Sequence, residues 1–324
     1  MNIKTTFAGL ELCSPIIAAS SSRTANIAHN IALCEAGVGA IVLKSLFEEN
    51  IISQSEVLSQ ETHHSEGADY LHGYLRSHEL SEYIELIKRC KQECSVPIIA
   101  SICAITHGEW EEFARLIEEA GADALELNIM GIECGIDYED GRVERAHEDI
   151  VRSIKAQINI PIIVKLGSLV TNPVALISRL KACGAAAVVL FNRMYSSDID
   201  IESMEYVAGS PFSTPQDLAI PLRWVGITSA KVRNIDVALS GGVKSGADVV
   251  KAILAGASAV EVCSVLYTKG NKWVAEATEE VKEWQQNHGY ESIDEYRANL
   301  SAAGKSEAEV LVRSQFLRHF GSVQ

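Results

Sequence analysis

A glycine-rich segment near residue 240 carries the strongest chemical signal in the chain. Residues 239–246 read LSGGVKSG between an apolar run and a helical pattern, and residues 261–264 read EVCS after the next apolar run. Glycines at a strand end let backbone N–H groups approach an anion, and the N-terminus of the following helix adds a favourable dipole. A tight turn without a ligand also explains either segment alone. Because two neighbouring segments carry the pattern, the sequence favours a phosphate-binding site.

Polar side chains within or at the ends of apolar runs form a second set of candidates. Lys44 ends AIVLK, Lys165 lies in IIVKL, and Asn128 and Asn192 end LELN and VLFN. A lysine facing an apolar interior is costly unless it pairs with a carboxylate or a ligand, and both alternatives stay open. Two such lysines favour a ligand that acquires negative charge, as reduced flavin does at its N1–O2 edge. The asparagines suit amide or pyrimidine edges, or they cap turns.

The elements that must position these residues alternate between apolar runs and amphipathic helical stretches. Four helical stretches end on glycine directly before an apolar run, at Gly37, Gly121, Gly184 and Gly256. Glycine adopts the left-handed conformation that ends a helix at little cost. Eight apolar runs predict buried parallel strands, at residues 15–20, 39–44, 97–103, 123–128, 161–166, 186–192, 236–242 and 259–264. This β/α pattern predicts one TIM (β/α)8 barrel domain over residues 1–324, with an open doubly wound sheet as the alternative.

Three long connections, residues 45–80, 129–147 and 193–220, each follow a predicted strand. In a barrel the carboxyl ends of the strands carry the active site, and the loops after strands 7 and 8 commonly bind phosphate. The glycine segment and the EVCS segment are those two loops. We therefore expect the candidate residues to converge at one mouth.

Composition and charge exclude several classes of protein. The 324 residues include 28 Lys and Arg against 43 Asp and Glu, a formal charge of −15, which argues against nucleic acid as a partner. The chain has no run of about 18 apolar residues and begins without a basic-then-apolar leader, so we expect a cytoplasmic protein that does not contact a membrane. Its eight cysteines lack metal-ligand spacing, so we expect reduced thiols and no metal site.

Together these segments resemble the dihydroorotate dehydrogenase family in its soluble form. The resemblance spans nearly the whole chain and rests on SPIIAAS, VLKS, ELN, PIIVKL, FN, LSGGVKSGADVVKAILAGASAVEVCS and HGYESIDEY. It implies a TIM barrel with FMN at its mouth, and Lys165 beside the flavin N1–O2 edge. The implied phosphate contacts are Gly241, Gly242, Cys263 and Ser264, and Ser240 is a further implied cofactor contact. The implied ring contacts are Ala19, Ser20, Lys44, Asn128 and Asn192. The implied substrate contacts are Lys44, Asn128, Asn192 and Arg193.

The chain departs from the family where a base removes the substrate proton. Soluble members carry Asn-Leu-Ser-Cys-Pro-Asn after the fourth strand, with the Cys as base, whereas residues 128–133 read NIMGIE here. Gly131 stands at the base position and cannot take a proton. Glu133 would repel the carboxylate of orotate unless it is protonated or paired with Arg193. Cys134 is the candidate for a displaced base, with a packing thiol as the alternative. Weaker candidates are Cys103, His107, Tyr138 and Tyr195.

Three functions follow from this departure. The first is an FMN oxidoreductase acting on a CH–CH bond next to a carbonyl or amide, in a pyrimidine-like substrate other than dihydroorotate. The second is an authentic dihydroorotate dehydrogenase of pyrimidine biosynthesis with Cys134 as base, and the third is a flavin-binding protein without turnover. Losing a proton-transfer group costs about 10²–10⁴-fold in rate. The resemblance also implies a homodimer, and an electron acceptor that is fumarate or NAD reached through a partner subunit.

Overall fold

The computed structural model describes residues 1–47, 65–103, 110–129, 134–194, 196–304 and 311–312. Eight parallel strands close into a barrel surrounded by helices, because the first barrel strand pairs with both the second and the last. The TIM-barrel prediction is confirmed, and the open sheet is wrong. The barrel strands are β3 (Ile16–Ala18), β4 (Ala40–Val42), β6 (Ile98–Cys103), β7 (Ala124–Ile129), β8 (Ile162–Gly167), β9 (Ala185–Asn192), β12 (Asp236–Ser240) and β13 (Ala259–Val262).

Each barrel strand coincides with one of the eight predicted apolar runs. Several runs extend past the strand they contain, so that Ser20, Lys44 and Gly241 lie in the loops that follow their strands, and Ser264 begins the short helix Ser264–Thr268. Lys165 instead lies inside β8, on the barrel wall. This difference places Lys165 deeper than the loop residues.

The helices between the strands pack their apolar faces on the outside of the barrel. They are α1 (Ile27–Glu35), α2 (Ser65–Glu93), α3 (Trp110–Glu119), α4 (Arg142–Lys155), α5 (Pro173–Ala182), α6 (Ala219–Lys231), α7 (Gly246–Ala255), α8 (Ser264–Thr268) and α9 (Lys272–His288). Short 3₁₀ helices span Ser22–Thr24, Pro215–Leu218 and Ile293–Glu295. The four glycines predicted to end helices all have positive φ, between 89° and 118°.

The predicted connection over residues 45–80 is wrong in its second part, because α2 begins at Ser65. Gly67 and Gly73 lower the helix propensity of this stretch and conceal the helical pattern. The helix is stabilised further along, where Tyr83 and Ile87 are buried against the barrel. No helix in the described part of the chain is long and apolar enough to span a bilayer.

A hairpin of β1 (Thr5–Phe7) and β2 (Leu10–Leu12) closes the bottom of the barrel. Phe7 and Leu12 are buried in a cluster with small and branched residues that point inward from the barrel strands. Asp236 fixes this hairpin, since its carboxylate accepts a hydrogen bond of 2.8 Å from the Ala8 N–H. Side chains alternate along a strand, so residues two positions beyond this apolar layer point into the barrel one layer higher.

The remaining strands lie outside the barrel wall or at its rim. The short strand β5 (Leu46–Phe47) continues the pairing along β6. An antiparallel hairpin of β10 (Ser197–Asp200) and β11 (Glu205–Ala208) occupies the long connection after β9. The hairpin is exposed at every position, so it contributes nothing to the described core.

Candidate active site

A cavity at the carboxyl ends of the strands gathers most of the candidate residues. It encloses about 670 Å³ of empty space, including space open to solvent. Ten of the sequence candidates line it: Ala19, Ser20, Lys165, Asn192, Arg193, Ser240, Gly241, Gly242, Cys263 and Ser264. Five residues not singled out as candidates complete the lining: Pro211, Ser213, Val243, Glu261 and Val262. The mouth expected from the sequence therefore exists, and loops from β3, β9, β12 and β13 build it.

The glycine segment forms a turn directly after β12, and the backbone of this turn lies in the left-handed region. Gly241 has φ +108° and Gly242 has φ +76°. A Cβ on Gly242 would lie 2.2 Å from the backbone nitrogen of Leu218, so this glycine is required by the close approach of the neighbouring 3₁₀ helix. Turns of this kind can direct N–H groups at an anion.

The N-terminus of α7 does not serve the cavity in the way the sequence suggested. The Gly246 N–H donates 2.6 Å to a carboxylate oxygen of Glu280, and the Lys244 N–H donates 3.0 Å to Asp248. These carboxylates already compensate the positive end of the helix dipole. Attraction for an anion therefore depends on the glycine turn and on side-chain cations.

Three cations, Lys244, Lys269 and Arg193, act on one another close to the glycine turn. Burial lowers the pKa of Lys244, and the positive charges of Lys269 and Arg193 lower it further, while Asp217 acts in the opposite direction. Lys269 Nζ donates 3.0 Å to the Lys244 carbonyl, and Arg193 lies 3.8 Å from a carboxylate oxygen of Asp217. Mutual repulsion among the cations makes an anion favourable here.

A buried cluster of Glu126, Lys165 and Glu261 lies on the barrel wall, and Lys165 and Glu261 reach the cavity lining. We call it the carboxyl–lysine cluster. Lys165 Nζ lies 2.7 Å from Glu261 Oε2 and 3.8 Å from Glu126 Oε1. Each of the three residues stands two positions after a residue of the apolar inner layer on the same strand. Those inner-layer residues are Ala124, Ile163 and Ala259. Strand alternation therefore brings the three charges together inside the barrel.

Burial and neighbouring charge perturb the carboxyl–lysine cluster strongly. Burial raises the pKa of Glu126 well above its usual value, and the Glu261 carboxylate raises it further, against the opposing effect of Lys165. Burial alone would lower the pKa of Lys165, but the two carboxylates outweigh burial and raise it. Lys165 is therefore an ammonium throughout the physiological range.

Serine hydroxyls connect the carboxyl–lysine cluster with the cavity lining. The Ser101 hydroxyl donates 3.4 Å to Glu126 Oε1 and lies 2.8 Å from the Ser45 hydroxyl. Ser45 in turn lies 3.0 Å from the hydroxyl of Ser20, which lines the cavity. The Ser101 N–H also donates a hydrogen bond of 2.8 Å to the phenolic oxygen of Tyr83, which holds Ser101 in place between Glu126 and Ser45. This hydrogen-bonded row links β7 and β6 with the segments that follow β4 and β3.

The two strand-end asparagines bond to each other. Asn192 Nδ2 donates 2.7 Å to Asn128 Oδ1, and Asn192 lines the cavity whereas Asn128 does not. Lys44 lines a different cavity with Ser45 and Tyr83, facing α2. The two lysines that looked equivalent in the sequence therefore serve different sites.

The candidate bases have contrasting placements. Cys134 is exposed on the connection after β7 and does not line the cavity. Cys103 is buried at the end of β6, and Tyr138 is exposed. The remaining positions in question lie outside the described residues: His107, Gly131, Glu133 and Tyr195.

Sequence reasoning missed Glu126 and Glu261 as members of the site. Both stand in apolar strands, in ALELN and AVEVC, where a carboxylate is as costly as the lysine that was noticed. Each glutamate stands two residues after an alanine that points into the barrel, Ala124 or Ala259, and this spacing is the signal that identifies both.

Fold and site together define a TIM-barrel protein with a glycine turn after β12 and a buried lysine in the cavity lining, an arrangement suited to a phosphorylated cofactor. The family model for dihydroorotate dehydrogenase matches residues 2–284, so the chain belongs to the dihydroorotate dehydrogenase family, whose members are flavin-dependent oxidoreductases acting on CH–CH groups.

Curated relatives agree with this membership. The catalytic subunit of dihydroorotate dehydrogenase B (NAD(+)) from Thermoplasma volcanium is 29% identical over 309 residues, covering 91% of this chain and 97% of the relative. A putative dihydroorotate dehydrogenase A (fumarate) from Aeropyrum pernix is 31% identical over 218 residues, covering 66% and 71%. The Methanocella arvoryzae catalytic subunit of the NAD(+) type is 30% identical over 285 residues, covering 82% and 88%.

Proposed function

We propose that this chain is a single FMN-binding domain that oxidises or reduces a CH–CH bond next to a carbonyl or amide in a pyrimidine-like substrate. The observation that carries the proposal is the cavity itself. Its lining includes the glycine turn, Arg193 and Lys165, and Lys244 follows the turn by two residues. Bound FMN would supply hydride transfer between the substrate carbon and the flavin ring.

The residues present fit FMN. The turn at Gly241 and Gly242 and the cations Arg193 and Lys244 suit a phosphate dianion. In this assignment Arg193 serves the phosphate end, because its charge acts on Lys244. Lys165 would face the ring edge where negative charge develops.

The other assigned residues would hold the flavin ring and the substrate. Ala19 and Ser20 would line the ring, and the Asn128–Asn192 pair would offer amide donors and acceptors to the ring or to a pyrimidine edge. Lys44 remains a proposed contact only for a ligand large enough to extend towards α2.

Absorbance of the purified protein tests cofactor binding. The protein should be yellow, or should bind added FMN with quenching of flavin fluorescence. Lys244→Ala should weaken FMN binding roughly tenfold, since a charge-assisted hydrogen bond contributes about 1.5 kcal/mol. Lys272→Ala is the matched control, because Lys272 is exposed and forms an ion pair of 3.5 Å with the exposed Glu276. A protein that refuses FMN in excess overturns the proposal.

The substrate is the point at which two candidate functions divide. The relatives named dihydroorotate dehydrogenase favour the second candidate, an authentic dihydroorotate dehydrogenase with Cys134 as displaced base. The exposed position of Cys134, outside the cavity lining, favours the first, a different pyrimidine-like substrate. We propose the first, because a base must come within about 3 Å of the proton that it abstracts.

Anaerobic mixing with dihydroorotate separates these functions. An unchanged flavin spectrum, followed by bleaching with another dihydropyrimidine, supports the proposal. Rapid bleaching by dihydroorotate that Cys134→Ser abolishes establishes the displaced base instead. A flavin that no tested donor bleaches indicates a binding protein without turnover.

Assembly and location belong to the same proposal. We propose a homodimer in which the β10–β11 hairpin meets a second copy of the chain, because Ile199, Ile201, Met204 and Tyr206 are all more than half exposed. Several relatives are named as catalytic subunits, which supports an additional electron-transfer partner. The eight free cysteines support a reducing, cytoplasmic location.

A further inference from the structure

The charges of the carboxyl–lysine cluster do not balance if all three groups are ionised. Glu126 is completely buried, Glu261 is 2% exposed and Lys165 is 6% exposed. Two carboxylates against one ammonium would leave a net negative charge inside the barrel. An uncompensated charge in such surroundings is strongly disfavoured relative to a change of protonation.

The hydrogen bonds of the cluster point to the same imbalance. Glu126 Oε1 accepts a hydrogen bond from the Ser101 hydroxyl, and Glu261 Oε2 accepts one from the Lys165 ammonium. The other two carboxyl oxygens, Glu126 Oε2 and Glu261 Oε1, are buried and have no hydrogen-bond partner among the residues that the structure describes. The two carboxyls are close enough for the charge of Glu261 to raise the pKa of Glu126. A proton on one carboxyl would supply the donor that these oxygens lack.

The other groups facing the cluster do not change its charge. In the described part of the chain they are the Tyr83 phenol, the Cys263 thiol and the Ser101 hydroxyl. Burial raises the pKa of both Tyr83 and Cys263, so both are neutral in the physiological range. The cluster must therefore be balanced from within.

We propose that Glu126 and Glu261 share one proton, so that the carboxyl–lysine cluster is electrically neutral and Lys165 meets a ligand as a compensated ammonium. Glu261 is then a positioning residue that acts through Lys165. It holds the ammonium at 2.7 Å and sets the charge that the cavity wall presents to the ligand.

Infrared spectroscopy of the FMN-free protein tests the shared proton directly. At neutral pH the wild type should show the carbonyl band of a buried carboxylic acid, shifted in D₂O. Glu126→Gln and Glu261→Gln should each lose that band, because the remaining carboxyl pairs with Lys165 and ionises. Glu119→Gln, at an exposed glutamate, should retain it. A wild type without the band, or single variants that keep it, overturns the proposal.

Sulfite binding by the FMN-loaded protein tests the charge, and this arm rests on the proposed function. Sulfite adds to the flavin ring and leaves negative charge at the N1–O2 edge, so its affinity reports nearby positive charge. Each single variant should change sulfite affinity less than about threefold, because the cluster stays neutral. The double variant should tighten it more than about tenfold, since Lys165 loses both counter-charges.

The infrared and sulfite experiments distinguish a failure of the shared proton from a failure of the proposed function. If both carboxyls are ionised in the wild type, each single variant removes a negative charge and tightens sulfite binding, which overturns the shared proton. If the protein binds no FMN, the proposed function fails while the infrared result still decides the inference. The single variants also suffice if the double variant does not fold.

Discussion

Replacing Lys165 by methionine tests the cluster through the free energy of unfolding. Methionine keeps the length of the side chain and removes the charge that faces Glu261 at 2.7 Å and Glu126 at 3.8 Å. Removing one partner of a buried ion pair costs about 3–5 kcal/mol, against total stabilities of about 5–15 kcal/mol. At roughly 2 °C per kcal/mol for a chain of this size, the midpoint of thermal unfolding should fall by about 6–10 °C.

The loss should depend on pH in a defined direction. Without Lys165 the pKa of Glu126 rises further, because the charge that lowers it is gone, so the folded variant binds more protons than its unfolded chain. Stability that depends on a raised carboxyl pKa is present at low pH and is lost as pH rises through the folded-state value. The difference between Lys165→Met and wild type should therefore widen from about pH 5 to about pH 8.

Thermal unfolding of the FMN-free proteins, followed by circular dichroism across this range, measures the effect. The matched control is Lys91→Met, which removes a pair of 2.6 Å between partly exposed Lys91 and Asp123. That pair contributes at most about 1 kcal/mol. A Lys165→Met variant as stable as the control, or a loss independent of pH, would refute the reasoning.

The remaining predictions concern the turn, the hairpin and the exposed thiol. Gly242→Ala should cost more than about 2 kcal/mol in chemical denaturation, because its Cβ meets Leu218 N at 2.2 Å, whereas Gly289→Ala, with φ +75° and no atom within 4 Å, should cost only about 1 kcal/mol. Tyr206→Ser should shift the protein from dimer to monomer in light scattering, and a wild-type monomer contradicts the proposed interface. Cys134→Ser should leave turnover of the true substrate unchanged in steady-state assays, and a loss of more than about 100-fold would make it the base.

The barrel could be predicted because its signals are local. Each strand is a short apolar run, and a glycine such as Gly184 or Gly256 ends the preceding helix where φ must be positive. The cavity could be predicted for a similar reason. All eight strands point the same way, so residues after β12 and β13 must meet at one mouth.

The pairing of charges could not be predicted in the same way. Lys44 and Lys165 stand in similar apolar runs, yet one is exposed beside α2 and the other is buried between two glutamates. The difference depends on where each strand ends relative to its neighbours. That relation is a matter of strand register and stagger, which no single run encodes.

The sequence by itself determined the eight-stranded architecture, the glycine turn after β12 and the family, because apolar spacing and glycine positions act over a few residues. Only the tertiary structure decided that Lys165 is neutralised by Glu126 and Glu261 and that Glu280 occupies the N-terminus of α7. The physical reason is that electrostatic partners are chosen by distance in space. Residues 126, 165 and 261 become neighbours only when the barrel closes.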